Sequence, residues 1–275
     1  MLLPGGLWDG QQRRREFAFG QVTGEFELTL AEIAGSDAPL PRQVTVVLAG
    51  ALAHVGQVRA AAEVVHGLAI GDRQFLMRQL ARVLGCDTLW IAPTCEACRR
   101  PFDVQIEQSR LPVKEAGAAF PFTIVQTSWG ECRLRVPTGA DQEATTAIPD
   151  DRAAIRVLAR SCALDPIPEA AGDLSDADIA RIEQGLEGAA PEVTTIAESA
   201  CPECGHTNRV YVDPYACLTT GSDAVWDEIH EIASCYHWSE RDIVGLSRER
   251  RRTYLRRIAG THGTTGRWAR DGSEG

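Results

Sequence analysis

The chain has 275 residues, 44% of them hydrophobic and 24% charged, and a formal net charge of −10. That balance is typical of a soluble globular protein, long enough for one large domain or two modest ones whose cores need no disulfides. The acidic charge argues against non-specific nucleic-acid binding, and no apolar run approaches the roughly 18 residues needed to span a bilayer.

Residues 1–42 read as loosely organised. LPGG is a turn signal, Arg13, Arg14 and Arg15 form a short basic run, and Phe17 and Phe19 alternate as in a strand. Thr29 and Glu32 fit a capping box for a short helix over 29–34. Val44, Val47, Leu48, Ala51, Leu52 and Val55 predict a one-sided helix over 43–56, and a second is expected over 58–66. Asp72 stands as the N-cap of a helix whose apolar face is Phe75, Leu76, Leu80, Val83 and Leu84, closed by Gly85. Residues 1–88 are therefore expected to form an N-terminal helical region.

Leu89 to Ile91 predicts a strand running into Cys95 and Cys98; Phe102, Val104 and Ile106 alternate in the strand that leaves them. Thr194 to Ile196 and then 209–212 flank Cys201 and Cys204 in the same way. A single Cys-x-x-Cys also suits a redox dithiol. Two of them, each between strands, favour a structural metal, because four thiolates complete a tetrahedral zinc site with no open position. The expectation is Zn2+ on Cys95, Cys98, Cys201 and Cys204, in a zinc ribbon split between 89–110 and 196–215. Pro202 and Gly205 suit the turn, while His206, beyond it, reads as a surface or supporting residue. Cys86, Cys132, Cys162, Cys217 and Cys235 are isolated and read as buried small hydrophobes. MLLPGG has no secretory character, so a reducing, cytoplasmic compartment is expected.

Residues 111–195 predict an α+β insertion. Strands are expected over 122–125 and 132–136, then a turn at PTGADQ into a helix capped by Thr138 or Asp141. With one glycine and no lysine, PTGADQ is not a phosphate loop. A helix over 153–162, a proline-rich linker over 165–173 and a helix capped at Ser175 and running to Leu186 complete the segment. Residues 216–260 predict C-terminal helices. The first starts near Asp223 and carries Trp226, Ile229, His230, Ala233, Tyr236 and His237; Ser239 and Ser247 cap the next two. Residues 261–275 are expected to form a disordered tail.

His230 and His237 lie seven apart and lack the four-residue helical spacing of metal ligands. Arg248, Arg250, Arg251, Arg252, Arg256 and Arg257 make either a solvated face balanced by Glu240, Asp242 and Glu249 or a docking surface. The docking reading places Trp226, Tyr236, Trp238, Arg250, Arg251 and Tyr254 against a protein partner. No general acid–base pair, nucleophile elbow or dinucleotide fingerprint stands out, so an enzyme is not expected. The fold expected is α+β and predominantly helical, pinned by the four cysteines, with a helical bundle at the C-terminus.

The order of motifs is LPGG, GDRQFLMRQL, CEAC, LRVPTGADQE, CPECGH with VDP soon after, and a closing EIHEIASCYHWSERDIVGLSRERRRTYLRRI. Over roughly residues 3–258 it resembles zinc-binding proteins encoded with contractile phage tails and phage-tail-like injection particles, similar to the T-even-type baseplate and hub-assembly proteins. The resemblance implies a non-enzymatic structural component or assembly factor of a baseplate, with Cys95, Cys98, Cys201 and Cys204 as the metal ligands. Its partners would be other baseplate, hub, spike or tail-tube proteins, with no membrane. It would assemble in the cytoplasm and either enter the particle or leave as a chaperone. The rival expectation is a zinc-ribbon nucleic-acid-binding or regulatory protein. Net acidity and the lack of alternating aromatics on the ribbon strands argue against it.

Overall fold

A computed structural model describes residues 1–167, 174–219 and 222–268, with the backbone alone at 219 and 261–268. Residues 168–173 of the expected linker and 269–275 of the expected tail lie outside the described residues. The fold is mixed α+β, 45% helix and 24% strand. No helix among the described residues is long and apolar enough to cross a membrane. The chain divides into two compact units, Met1–Phe19 with Asp37–Cys217, and Gly20–Ser36 with Leu218–Gly275.

The first unit opens with strands, not the expected loose segment. β1 (Leu2–Trp8) pairs antiparallel with β2 (Arg13–Phe19), and LPGG lies inside β1. The glycines disguise the strand. Gly6 sits at φ +110, and the ladder shifts register between Leu2 and Leu7, a bulge that favours glycine. After α1 (Gly24–Ala34), which belongs to the second unit, α2 (Leu40–Ala51) buries Val44, Val47, Leu48 and Ala51. The helix expected to reach residue 56 stops there. β3 (Leu52–Val55) follows instead and pairs with β2, placing Val55 opposite Phe17. Gly56, at φ +57, then turns the chain into β4 (Val58–Arg59), so the helix expected over 58–66 shrinks to α3 (Ala62–His66). A four-stranded sheet in the order β1-β2-β3-β4 thus joins helices α2 and α3 in the region expected to be helical.

α4 (Ile70–Val83) begins at Ala69, not at Asp72, and ends on Gly85 at φ +70. Asp72 lies buried in its first turn and accepts the backbone N–H groups of Gly5 and Gly6 instead of capping its own helix. The next residue, Arg73, is also buried. Its guanidinium donates to Thr45 Oγ1 at 2.8 Å and to the Pro41 carbonyl at 2.5 Å.

Two hairpins follow, far apart in sequence. β5 (Thr88–Ile91) pairs with β6 (Val104–Glu107). Between them and their counterpart, β7 (Val113–Lys114), the hairpin β8 (Phe122–Thr127) and β9 (Gly130–Arg135), and helices α5 (Gly139–Thr145), α6 (Asp151–Cys162) and α7 (Asp176–Ala189) form the insertion. Val125, Cys132, Leu134, Ala159, Cys162, Ile179, Ile182 and Leu186 make its core. Gly185 lets α7 press on the hairpin, since a Cβ there would lie 2.3 Å from Val125 Cγ2. Thr138 and Asp141 form a capping box at α5, and Asp141 also receives a bidentate pair from Arg135 at 2.5 and 2.7 Å. β10 (Glu192–Val193) pairs with β7 and closes the insertion, and β11 (Ile196–Ala200) pairs with β12 (Thr207–Tyr211) as the second hairpin.

The second unit contains α1, α8 (Asp223–Tyr236), α9 (Glu240–Val244) and α10 (Arg248–Trp268). Thr23 caps α1, accepting from the Phe26 N–H; Thr29, the expected cap, instead donates to the Glu25 carbonyl. Val225, Ile229, Ile232, Ile243 and Ile258 form the core, with Leu28 of α1 packed against it. α10 continues to Trp268, so helix occupies the first part of the expected disordered tail.

Candidate metal centre

Each hairpin presents one Cys-x-x-Cys turn, and the two turns are built alike. The Cys95 N–H donates to the Arg100 carbonyl at 2.9 Å and the Arg99 N–H to the Cys95 carbonyl at 3.0 Å. In the second turn, the Cys201 N–H donates to the His206 carbonyl and the Gly205 N–H to the Cys201 carbonyl, both at 2.8 Å. The fourth residue after the first cysteine is left-handed in both, Arg99 at φ +62 and Gly205 at φ +75. Glycine adopts that conformation freely, whereas the arginine accepts it at a cost.

The hairpins pack face to face through Phe102, Val104, Ile106, Val210 and Val212, which brings the two turns together. The Sγ atoms of Cys95, Cys98, Cys201 and Cys204 all lie within 4.8 Å of one another. The Cys95–Cys204 separation is 3.7 Å and the Cys98–Cys201 separation 3.8 Å. A tetrahedron with metal–sulfur bonds of about 2.3 Å has sulfur–sulfur edges of about 3.8 Å. The spacing therefore fits four thiolates on one ion, and all nine cysteines are free of disulfides. Cys95, Cys98 and Cys201 are buried or half-buried and Cys204 is exposed. Arg100 and Glu203 pair across the tips of the two turns. His206 contributes its backbone carbonyl, and its side chain is not in the cluster.

The electrostatics suit anionic sulfur. The Cys98 N–H, with those of Ala97 and Asn208, draws the Cys95 thiol down to about 6 against its burial. At Cys204 the His206 N–H pulls the same way, but partial desolvation of the sulfur and the three neighbouring sulfurs outweigh it and leave the thiol raised to about 11. Four sulfurs this close cannot all ionise without a cation between them. Asn208 was not singled out from sequence. An amide at an inward position of the strand after the second turn is the signal that would have found it.

The isolated cysteines are more varied than expected. Cys132, Cys162 and Cys217 are buried, and desolvation pushes Cys162 up to about 11 and Cys217 up to about 12, so both are inert thiols. Cys86 is half-buried and Cys235 exposed, which corrects the expectation for those two.

The residues expected to meet a partner separate into two groups. Tyr236, Trp238 and Tyr254 form an aromatic cluster with ring centroids 4.9 to 5.5 Å apart. Beside it, Tyr236, Glu249, Arg250, Thr253, Tyr254 and Arg257 line an open groove of about 610 Å3. Trp226 is 45% exposed, nearly three turns before Tyr236 on α8. Arg251 does not belong to this surface. It is 0% exposed and paired with Glu228 at 2.8 Å and Glu27 at 2.7 Å, because the helix turns it inward onto α1 and α8. His237 ends α8 in a left-handed conformation, so it does not continue the face of His230.

Comparison with family models, with curated proteins and with solved structures finds no match to this chain.

Proposed function

We propose that the four cysteines hold one structural Zn2+ in a split zinc ribbon, and that the protein is a non-enzymatic component or assembly factor of a contractile-tail or injection-particle baseplate, working through protein–protein contacts. The observation that carries the metal reading is the set of four sulfurs within 4.8 Å of one another, two pairs of them at the 3.7 and 3.8 Å of a tetrahedral edge. Four thiolates fill the coordination shell of Zn2+, so the ion has no position left for substrate or water. Soft thiolate donors favour zinc or iron over the hard cations. A closed site of this kind contributes folding energy and leaves function to the surface it holds in place.

The baseplate reading draws on the motif order and on the closing helices. Their residues form an aromatic cluster beside Arg250, with Trp238 exposed and Tyr236 and Tyr254 half-buried, the composition of an interface anchor. Purified protein should contain one zinc per chain, and it should associate with a purified hub, spike, tube or sheath protein from its own gene cluster. Absence of stoichiometric zinc overturns the first half of the reading; absence of any such association overturns the second.

One observation favours nucleic-acid binding instead. Trp90 on β5 and Tyr211 on β12 are 70% and 64% exposed on the hairpins, where bases could stack. The net charge of −10 opposes it. Salt-sensitive retention of single-stranded DNA or RNA near physiological ionic strength would promote this reading over the baseplate one.

A further inference from the structure

We propose that Asn208 is a positioning residue of the four-cysteine centre, holding Cys95 as a hydrogen-bond-accepting sulfur and locking the two halves of the site in register. The inference rests on the metal reading above.

Asn208 sits on β12 opposite Ser199 and is 3% exposed. Its Oδ1 accepts the Glu96 N–H at 2.9 Å. Its Nδ2 donates to the His206 carbonyl at 2.9 Å and faces Cys95 Sγ at 3.7 Å. The partners fix which end of the amide is which. A backbone N–H can only donate and a backbone carbonyl can only accept, so the oxygen must face Glu96 and the nitrogen His206. The second N–H of the same nitrogen is then directed at sulfur, and Cys95 is the acceptor.

These bonds reach across the split. Asn208 and His206 belong to the second hairpin, while Cys95 and Glu96 belong to the first, 113 and 112 residues away from Asn208. One side chain therefore braces the second turn, holds the backbone of the first and touches a ligand atom. Four thiolates around a dication leave excess negative charge on sulfur, and each N–H directed at sulfur offsets part of it. Asn208 adds such a donor from the opposite hairpin, where the backbone amides of the first turn cannot supply one. The ion pair between Arg100 and Glu203 also joins the turns, but it is exposed and touches no sulfur.

The test is Co2+ titration of the full chain, read by the thiolate-to-cobalt charge-transfer and d–d bands, with Zn2+ competition for affinity. Asn208→Asp keeps an oxygen for the Glu96 N–H but places a carboxylate oxygen, with no donor, against Cys95. It should bind Co2+ and Zn2+ about 10- to 100-fold more weakly, with a shifted charge-transfer band. Arg100→Ala should leave both the spectrum and the affinity unchanged. Should Asn208→Asp fail to fold, Asn208→Ser, which is uncharged and too short to span both partners, is titrated with the same expectation. A variant at 208 that matches the wild type in band position and in affinity, within about threefold, overturns the role of Asn208 and leaves the metal reading standing. Wild-type protein that gives no four-thiolate cobalt spectrum overturns the metal reading and this inference with it.

Discussion

The carboxylate of Asp72 accepts the backbone N–H of Gly5 at 2.7 Å across 67 residues of chain, and its other oxygen accepts Gly6 at 2.8 Å. Two motifs distant in sequence, LPGG and GDR, are thereby one structural unit that fastens β1 to α4. Gly5 has no room for a side chain, since a Cβ there would lie 2.2 Å from Asp72 Oδ2. Gly5→Ala should cost about 1–3 kcal/mol by overpacking. Asp72→Asn sets an amide N–H against a glycine N–H and should cost a similar amount, about 1–3 kcal/mol, through the unsatisfied donors. Urea unfolding at constant m-value measures both, and a loss under about 0.5 kcal/mol in each would rank them with ordinary surface changes.

The same carboxyl sets a pH dependence. Burial pushes Asp72 up to about 6 from an ordinary value of 3.8, against the pull of the Gly6 and Gly5 amides and of Arg13 and Arg15. Between those values the folded chain retains a proton that the unfolded chain releases, so the contribution to stability falls as pH rises. It is fully present below about 3.8 and lost as pH passes through about 6. Asp72→Asn removes this titration. The gap in stability between wild type and variant should therefore be wider at pH 5 than at pH 7.5, and a gap that widens with rising pH contradicts the assignment.

Adjacent arginines on α10 should behave in opposite ways. Arg251 is enclosed by Glu27, Glu228 and the Leu246 carbonyl, and removing it takes the partner from half-buried Glu228 and leaves buried Glu27 with the longer pair to Arg248 at 3.4 Å. Arg251→Ala should cost about 3–5 kcal/mol, seen as lost amide-exchange protection in α1, α8 and α10. Arg250 is exposed, and Arg250→Ala should change stability by no more than about 0.5 kcal/mol. If the groove beside Tyr254 is the docking surface, Arg250→Glu and Trp238→Ala should weaken association with the baseplate partner while leaving the exchange pattern intact.

Metal removal should act on the first unit. Cys98→Ser, or stripping with a strong chelator, should expose the amides of β5, β6, β11 and β12 to exchange and leave the helices of the second unit protected. Unchanged protection in both hairpins would mean that the cysteines carry no structural ion.

The hairpins around the cysteines could be read from sequence because Phe102, Val104 and Ile106 alternate and strand pairing there is local. Ser175 and Thr138 were equally legible as caps, since capping depends on residues three apart. β3 was not, because Leu52 and Val55 lie three apart, a helical spacing that puts them on opposite faces of a strand, and only pairing with β2 overrides it. β1 was hidden by two glycines whose role depends on Asp72. Arg251 looked like any member of a basic run. Its inward position depends on Glu27, 224 residues away, and such a pairing leaves no local pattern. Asn208 differs, since its inward place on β12 is a local signal and only its partner Glu96, on the other hairpin, is not.

The sulfur–sulfur separations of 3.7 and 3.8 Å also define a load path. An ion bridging these atoms would join residue 95 to residue 204 and close the chain between them into a ring. Tension entering from β1 to β4 and leaving through β12 would cross the metal–sulfur bonds and never enter the β8–β9 hairpin or helices α5 to α7. The insertion would then be mechanically shielded, free to vary in length or to be cut without parting the two strands of chain that bear the force.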